Sequence, residues 1–255
     1  MAYIELKDVT KRFGDFTAID ALNISVQKGE FIAVIGPSGA GKSTFLRLLN
    51  STIVPEEGGI AFDGTTINDF RGERLFGHRA RIGFIFQQFN LVRNLTVLQN
   101  VLVGRTRHNP LWRVLLSAWT KEDFDIAEHF ITEVGLREKI HNRATELSGG
   151  QQQRVAIARA MTQEPQLILA DEPMASLDPK LANVILGLLK KFNEESGITV
   201  IVNLHVLELA RRYSTRIIAL KAGSVAFDGT VDELTREQLD QIYDIDKNLK
   251  LEELE

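Results

Sequence analysis

Three short segments carry residues whose types and spacing could do chemistry on a phosphate. The run Gly36-Pro37-Ser38-Gly39-Ala40-Gly41-Lys42-Ser43-Thr44 fits the pattern G-x-x-x-x-G-K-[ST] after an apolar run, FIAVI at 31–35. Its glycines let the backbone turn so that N–H groups point inward around an anion. A helix opening at Lys42 would add partial positive charge there. Lys42 would place a full positive charge on the β- and γ-phosphates, and the Ser43 hydroxyl can ligate Mg2+. Downstream, Leu167-Ile168-Leu169-Ala170 reads as a strand buried on both faces, with Asp171 and Glu172 at its C-terminal tip. Ligands of open α/β sheets bind at such tips. Asp171 is expected to hold Mg2+ through water, and Glu172 is the candidate general base for an attacking water. Between them lies LSGGQQQR at 147–154, where Ser148 caps a helix and two glycines let phosphate approach the backbone. Taken singly, each has a bland reading: a glycine turn, a strand ending in solvated acids, a capped helix.

The elements that must position these groups follow from hydrophobic pattern. The first thirty residues alternate, with Tyr3, Glu5 and Lys7 set against Ile4, Leu6 and Val9, as in half-buried strands. FIAVI is a buried strand, and a helix is expected from about 42 to 50. Further strands are expected at 60–62 and 82–86. From about 90 to 162 the periodicity is helical, with helices near 96–104, 111–118, 121–134 and 150–162. Strands return at 167–170, 198–202, 216–220 and 224–227, with a helix near 180–194. Alternating buried strands and helices argue for a parallel α/β sheet, with the helical block as an insertion. The expected division is a core of 1–90 plus 163–230, a helical subdomain at 91–162, and a tail at 231–255 that ends in the acidic KLEELE.

Composition sets limits. The 255 residues are 25% charged and 44% hydrophobic, which is ordinary for a globular chain with ample core. The net charge of −4 gives no basic field, so nucleic acid is not expected as a partner. There are no cysteines, which removes disulfides and thiolate metal sites. The longest apolar stretches fall far short of the ~20 residues that span a bilayer. The N-terminal MAYIELKDVTKRFG lacks the apolar run of a secretory signal. Work at a membrane is therefore expected to go through a partner.

Taken together, the octet LSGGQQQR, the VAIARA that follows at 155–160, and the order of the three motifs resemble the ATP-binding cassette (ABC) ATPases, the motors of membrane transporters. The resemblance covers nearly the whole chain. It implies a P-loop NTPase fold: a RecA-like parallel sheet core with an N-terminal antiparallel β part and an inserted α-helical subdomain. It also implies ATP and Mg2+ as cofactors, with ATP sandwiched in a head-to-tail homodimer. Ser148, Gly149, Gly150 and Gln151 would then face the nucleotide of the other copy. Phe13, in KRFG, matches the aromatic that stacks on adenine, with a phenylalanine packed in the core as the alternative. Gln87 matches the glutamine that contacts Mg2+ or water and senses the transporter. Ser176-Leu177-Asp178 matches the loop that crosses to the partner subunit; without the resemblance, Asp178 is a helix cap before Pro179. His205, after ITVIV, matches the histidine that contacts the γ-phosphate. His78, His108, His129 and His141 match nothing and read as surface or packing residues.

Within the family, a short separate cassette without transmembrane helices fits the ATPase subunit of an importer. The alternatives are an export or lipid-extrusion subunit, and a cassette acting on DNA or ribosomes, which the single cassette and the charge disfavour. Residues 83–105, 109–113, 170–179 and 202–205 look like the ATPase subunits of phosphonate importers. Importers of methionine or polar amino acids share FQQFNL and are the runner-up. The implied partners are integral-membrane permease subunits and, indirectly, a substrate-binding protein. The implied place is the cytoplasmic face of the membrane, peripherally. Leu111, Trp112 and Trp119 could line a groove for a permease helix or fill the core of the helical subdomain.

Overall fold

The computed structural model describes residues 2–175 and 177–244; Ser176 and the acidic KLEELE segment lie outside the described residues. The chain divides into two compact units, 1–69 with 203–255, and 70–202.

The first unit opens with β1 (Ile4–Phe13), β2 (Phe16–Val26), β3 (Phe31–Ile35), α1 (Lys42–Leu49), β4 (Glu57–Phe62) and β5 (Thr65–Thr66). The second unit holds α2 (Gly72–Ala80), β6 (Ile82–Ile85), α3 (Val97–Leu102), α4 (Leu111–Leu115), α5 (Lys121–Glu133), α6 (Gly149–Met161), β7 (Leu167–Ala170), α7 (Pro179–Ser196) and all but the last residue of β8 (Thr199–Asn203). The chain then returns to the first unit with α8 (Leu207–Tyr213), β9 (Arg216–Lys221), β10 (Ser224–Thr230) and α9 (Arg236–Tyr243).

In the first unit, β1 pairs antiparallel with β2 and with β4, giving the order β2-β1-β4-β5. Ile4, Leu6 and Val9 are buried, as the alternation requires. Tyr3 departs from the expected polar face. It is buried, and its ring lies 4.8 Å from that of Phe62, so it belongs to the core. The alternation also breaks at Asp8, which has φ +48 at an irregularity in both β1 pairings. β3 pairs in parallel with β9 from Ile32↔Arg216 to Ile35↔Ala219, and β10 is antiparallel to β9. Every residue of β3 is buried, which is why it reads as a continuous apolar run.

In the second unit, β6, β7 and β8 form a parallel set, with Ile85, Ala170 and Val202 in register near its C-terminal edge. The helices start on local signals. Thr96, Thr120 and Ser148 each make a capping box with the residue three places on. Asp178 caps α7 with Pro179 in its first turn. A buried ionic network ties the helical block together. Arg105 donates to Asp123 at 3.0 Å, to Glu164 at 2.7 Å and to the carbonyl of Thr162 at 3.0 Å. Asp123 also accepts from Thr120 and Asn109. Burial pushes the Asp123 carboxyl up, but these hydrogen bonds outweigh it and hold its pKa down at about 2.

Candidate nucleotide-binding site

The phosphate loop connects β3 to α1 inside the first unit. Gly36 has φ +138, and a Cβ there would fall 2.1 Å from the Leu220 carbonyl oxygen. Gly41 has φ +103 as the N-cap of α1, and a Cβ there would lie 2.5 Å from the Ala18 oxygen. Only glycine fits both places. Among the described contacts, the N–H groups of Ser38, Gly39 and Gly41 donate to nothing within the chain. Lys42 is buried, and its Nζ donates to the carbonyls of Gly36 at 2.7 Å and Pro37 at 3.0 Å. Ala40 ties the loop to the β9–β10 turn by accepting from the Gly223 N–H. A buried cation beside unengaged backbone donors at a helix start fits the phosphates of a nucleotide. Ser43 and Thr44 follow in the first turn of α1.

Two further groups belong to this unit. Phe13, at the end of β1, is 49% exposed, with the Lys11 ammonium 5.2 Å from its ring centroid. It is therefore not a core phenylalanine, and its free face can stack on a base. His205 is exposed just beyond β8. The Leu204 N–H donates to the Val34 carbonyl at 3.0 Å, which sets His205 beside the strand that runs into the phosphate loop.

In the second unit, Gln87 and Asp171 follow the C-terminal ends of two paired strands, and the Asp171 N–H donates to the Ile85 carbonyl at 2.9 Å. Glu172 has φ +48, a left-handed backbone that costs a residue with a Cβ on the order of 1 kcal/mol and clusters at functional positions. The Gln87 amide and the Asp171 carboxylate of this unit, like the Ser43 hydroxyl of the first, are hard oxygen donors, the type that suits Mg2+. Ser148 is the exposed N-cap of α6; its backbone N–H donates to Gln151 Oε1 at 3.0 Å. Gly149 is exposed, while Gly150 is packed so that a Cβ would meet Leu181 at 2.8 Å. Asp178 is engaged as the cap of α7, accepting from Leu181 N–H at 3.0 Å.

The structure adds two residues that motif reading passed over. Arg159, on α6, donates to the carbonyls of Asn90 and Phe89, just after Gln87. Tyr243, on α9, accepts from the Gly36 N–H. Neither has a local signal, because each contact joins segments far apart in sequence. Of the four unassigned histidines, His78 is a packing residue, buried with its ring edge-on to Phe70.

The ABC transporter family profile matches residues 19–175. The chain is 50% identical, over 94% of both chains, to the phosphonates import ATP-binding protein PhnC of Bacillus thuringiensis subsp. konkukian (strain 97-27). It is 48% identical to the protein of the same name from Rhodopseudomonas palustris (strain BisB5), covering 94% of this chain and 89% of that one. Among solved structures, the ATP-binding cassette MJ0796, described as dimeric in a post-hydrolysis state bound to ADP and Pi, is 39% identical with a TM-score of 0.78, covering 89% of this chain and 98% of that one. CbiO1 from Clostridium perfringens, described as part of the ABC transporter complex cbiONQ, is 27% identical with a TM-score of 0.82, covering 94% and 93%.

Proposed function

The chain belongs to the ABC transporter family as an ATP-binding cassette, an ATPase coupled to transport, and from that premise we propose that it drives a phosphonate importer. The observation that carries the cargo assignment is about 50% identity, end to end, with proteins named for phosphonate import. The matched 241 residues extend well beyond the ATPase motifs.

Two copies face head to tail. Each ATP is held by Phe13, Lys42, Ser43 and the loop backbone of one copy, and by Ser148, Gly149, Gly150 and Gln151 of the other. The unengaged N–H groups of the loop and the buried Lys42 ammonium support the first half of this assignment. The exposure of Ser148 and Gly149 supports the second. The description of the similar MJ0796 cassette as a dimer supports the assembly. ATP closes the pair because its γ-phosphate contacts both copies and so binds the closed state better. Glu172 takes the proton of the attacking water, and His205 contacts the γ-phosphate. Ser43, Gln87 and Asp171 would hold Mg2+, which when bound would supply charge neutralisation to the phosphates. Loss of the γ-phosphate removes the bridge and reopens the pair. Asp178, as the cap of α7, positions the loop that crosses to the other copy.

No helix among the described residues is long and apolar enough to cross a membrane. We place the protein peripherally at the cytoplasmic face, bound to integral-membrane permease subunits that receive cargo from a substrate-binding protein. The helical region around 91–162 presents Leu111, Trp112, Leu115 and Leu116, all exposed, which supports a permease-facing role for α4. Growth on an alkylphosphonate as sole phosphorus source tests the cargo. A strain carrying Glu172→Gln should fail there and grow normally on phosphate. Normal phosphonate growth with lost uptake of methionine or a polar amino acid would overturn the assignment.

A further inference from the structure

We propose that Tyr243 is a positioning residue for the phosphate loop, delivered by α9. The Gly36 N–H donates to the Tyr243 hydroxyl at 3.2 Å, across 207 residues of sequence. The Gly36 carbonyl accepts from Lys42 Nζ at 2.7 Å. The two bonds pin the peptide planes on either side of Gly36, which has φ +138, a conformation open only to glycine. Tyr243 and Lys42 are thus joined through one residue.

α9 is held where this contact needs it. Ile242 is 1% exposed. Thr235 caps the helix in a box with Gln238. Lys221, the last residue of β9, donates to the Asp244 carboxylate at 2.6 Å and to the Gln241 carbonyl. The preceding residue, Leu220, supplies the carbonyl against which Gly36 is wedged. The end of β9 therefore fixes both partners of the Tyr243–Gly36 bond. Burial pushes the Tyr243 phenol up, so the hydroxyl stays protonated across the physiological range. Nothing in the reaction consumes this hydroxyl. Its effect is to hold the loop ready for phosphate, which bears on nucleotide affinity and not on the chemical step.

The test uses the full chain, with ADP as the probe so that binding is separated from hydrolysis and pairing. Tyr243→Phe removes the acceptor and keeps the ring. We expect the ADP Kd to rise about three- to ten-fold, as for loss of one ordinary hydrogen bond, with kcat for ATP within about two-fold of wild type. Hydrogen exchange at the Gly36 amide should speed up, while the Leu239 amide, bonded to Thr235 inside α9, keeps its wild-type protection. Lys221→Met should shift the ADP Kd the same way, and adding it to Tyr243→Phe should weaken binding less than the two separate effects combined. An unchanged ADP Kd in Tyr243→Phe would overturn the proposal. So would a weakened Kd accompanied by loss of Leu239 protection, because the packing of α9 would then be the cause.

Discussion

Arg159 on α6 donates to the Asn90 carbonyl at 2.6 Å, through Nη1, and its other terminal nitrogen reaches the Phe89 carbonyl at 3.1 Å. The helix that begins at Ser148 is thereby fastened to the segment that follows Gln87. Burial works against the guanidinium's charge, and the two carbonyl dipoles offset part of that cost.

Replacing Arg159 by Met keeps the apolar stem and removes both bonds. We expect a loss of roughly 1–3 kcal/mol in stability, from two charge-assisted bonds lost, with ADP affinity unchanged. In the assembled transporter, stimulation of ATP hydrolysis by cargo should fall more than the basal rate, because the Gln87 segment has lost its tie to α6. Thermal unfolding and stimulated-to-basal rate ratios measure the two effects. An unchanged ratio would mean that Arg159 serves stability alone.

Asp123 makes a prediction about acid. Its folded pKa of about 2 lies below the ordinary 3.8, so its contribution to stability is full above about pH 4 and fades as pH falls through 2. The shift corresponds to roughly 2 kcal/mol for a group that is 2% exposed. Asp123→Asn should cost about 3–5 kcal/mol near neutrality, since it strips the buried Arg105 of a charge partner. The gap between wild type and variant should narrow between pH 4 and pH 2. Urea unfolding across that range checks it; a gap independent of pH would contradict the assignment.

Glu172→Gln should abolish turnover while leaving ATP binding intact, and should trap a dimer in ATP and Mg2+. The substitution keeps side-chain size and the left-handed backbone, so stability should change by less than about 0.5 kcal/mol. Size-exclusion with and without ATP reads the outcome. A variant that hydrolyses at the wild-type rate would remove Glu172 from its role as general base.

Much of the fold was legible because burial and pattern agree. The strand Leu167–Ala170 has its expected bounds, and every one of its residues is buried. The helix expected near 180–194 runs from Pro179 to Ser196, marked by Asp178 before it and Gly197 after it. Short helices without a broad apolar stripe were silent. α2 buries only His78, α8 only Ala210 and α9 only Ile242. The helix expected at 96–104 ends at Leu102 and tightens into a 3₁₀ turn, where Gly104 is crowded by Thr162 and Arg159. The phosphate loop, the acidic strand tip and the capped signature helix were legible as local patterns. Tyr243 and Arg159 were not, since their roles arise from contacts that only the folded chain brings together.

The central claim is that ATP is completed by two copies of the chain, with Lys42 from one and Ser148 from the other. The direct measurement mixes purified Lys42→Ala and Ser148→Arg subunits and follows ATP hydrolysis. Alone, Lys42→Ala should bind ATP weakly, because it lacks the buried ammonium beside Gly36, and Ser148→Arg should bind ATP normally yet not hydrolyse it. In the mixture, each heterodimer keeps one site with both intact halves, so hydrolysis should return to a clear fraction of the wild-type rate. A mixture as inactive as its components, or a Ser148→Arg protein that hydrolyses ATP normally by itself, would contradict the account.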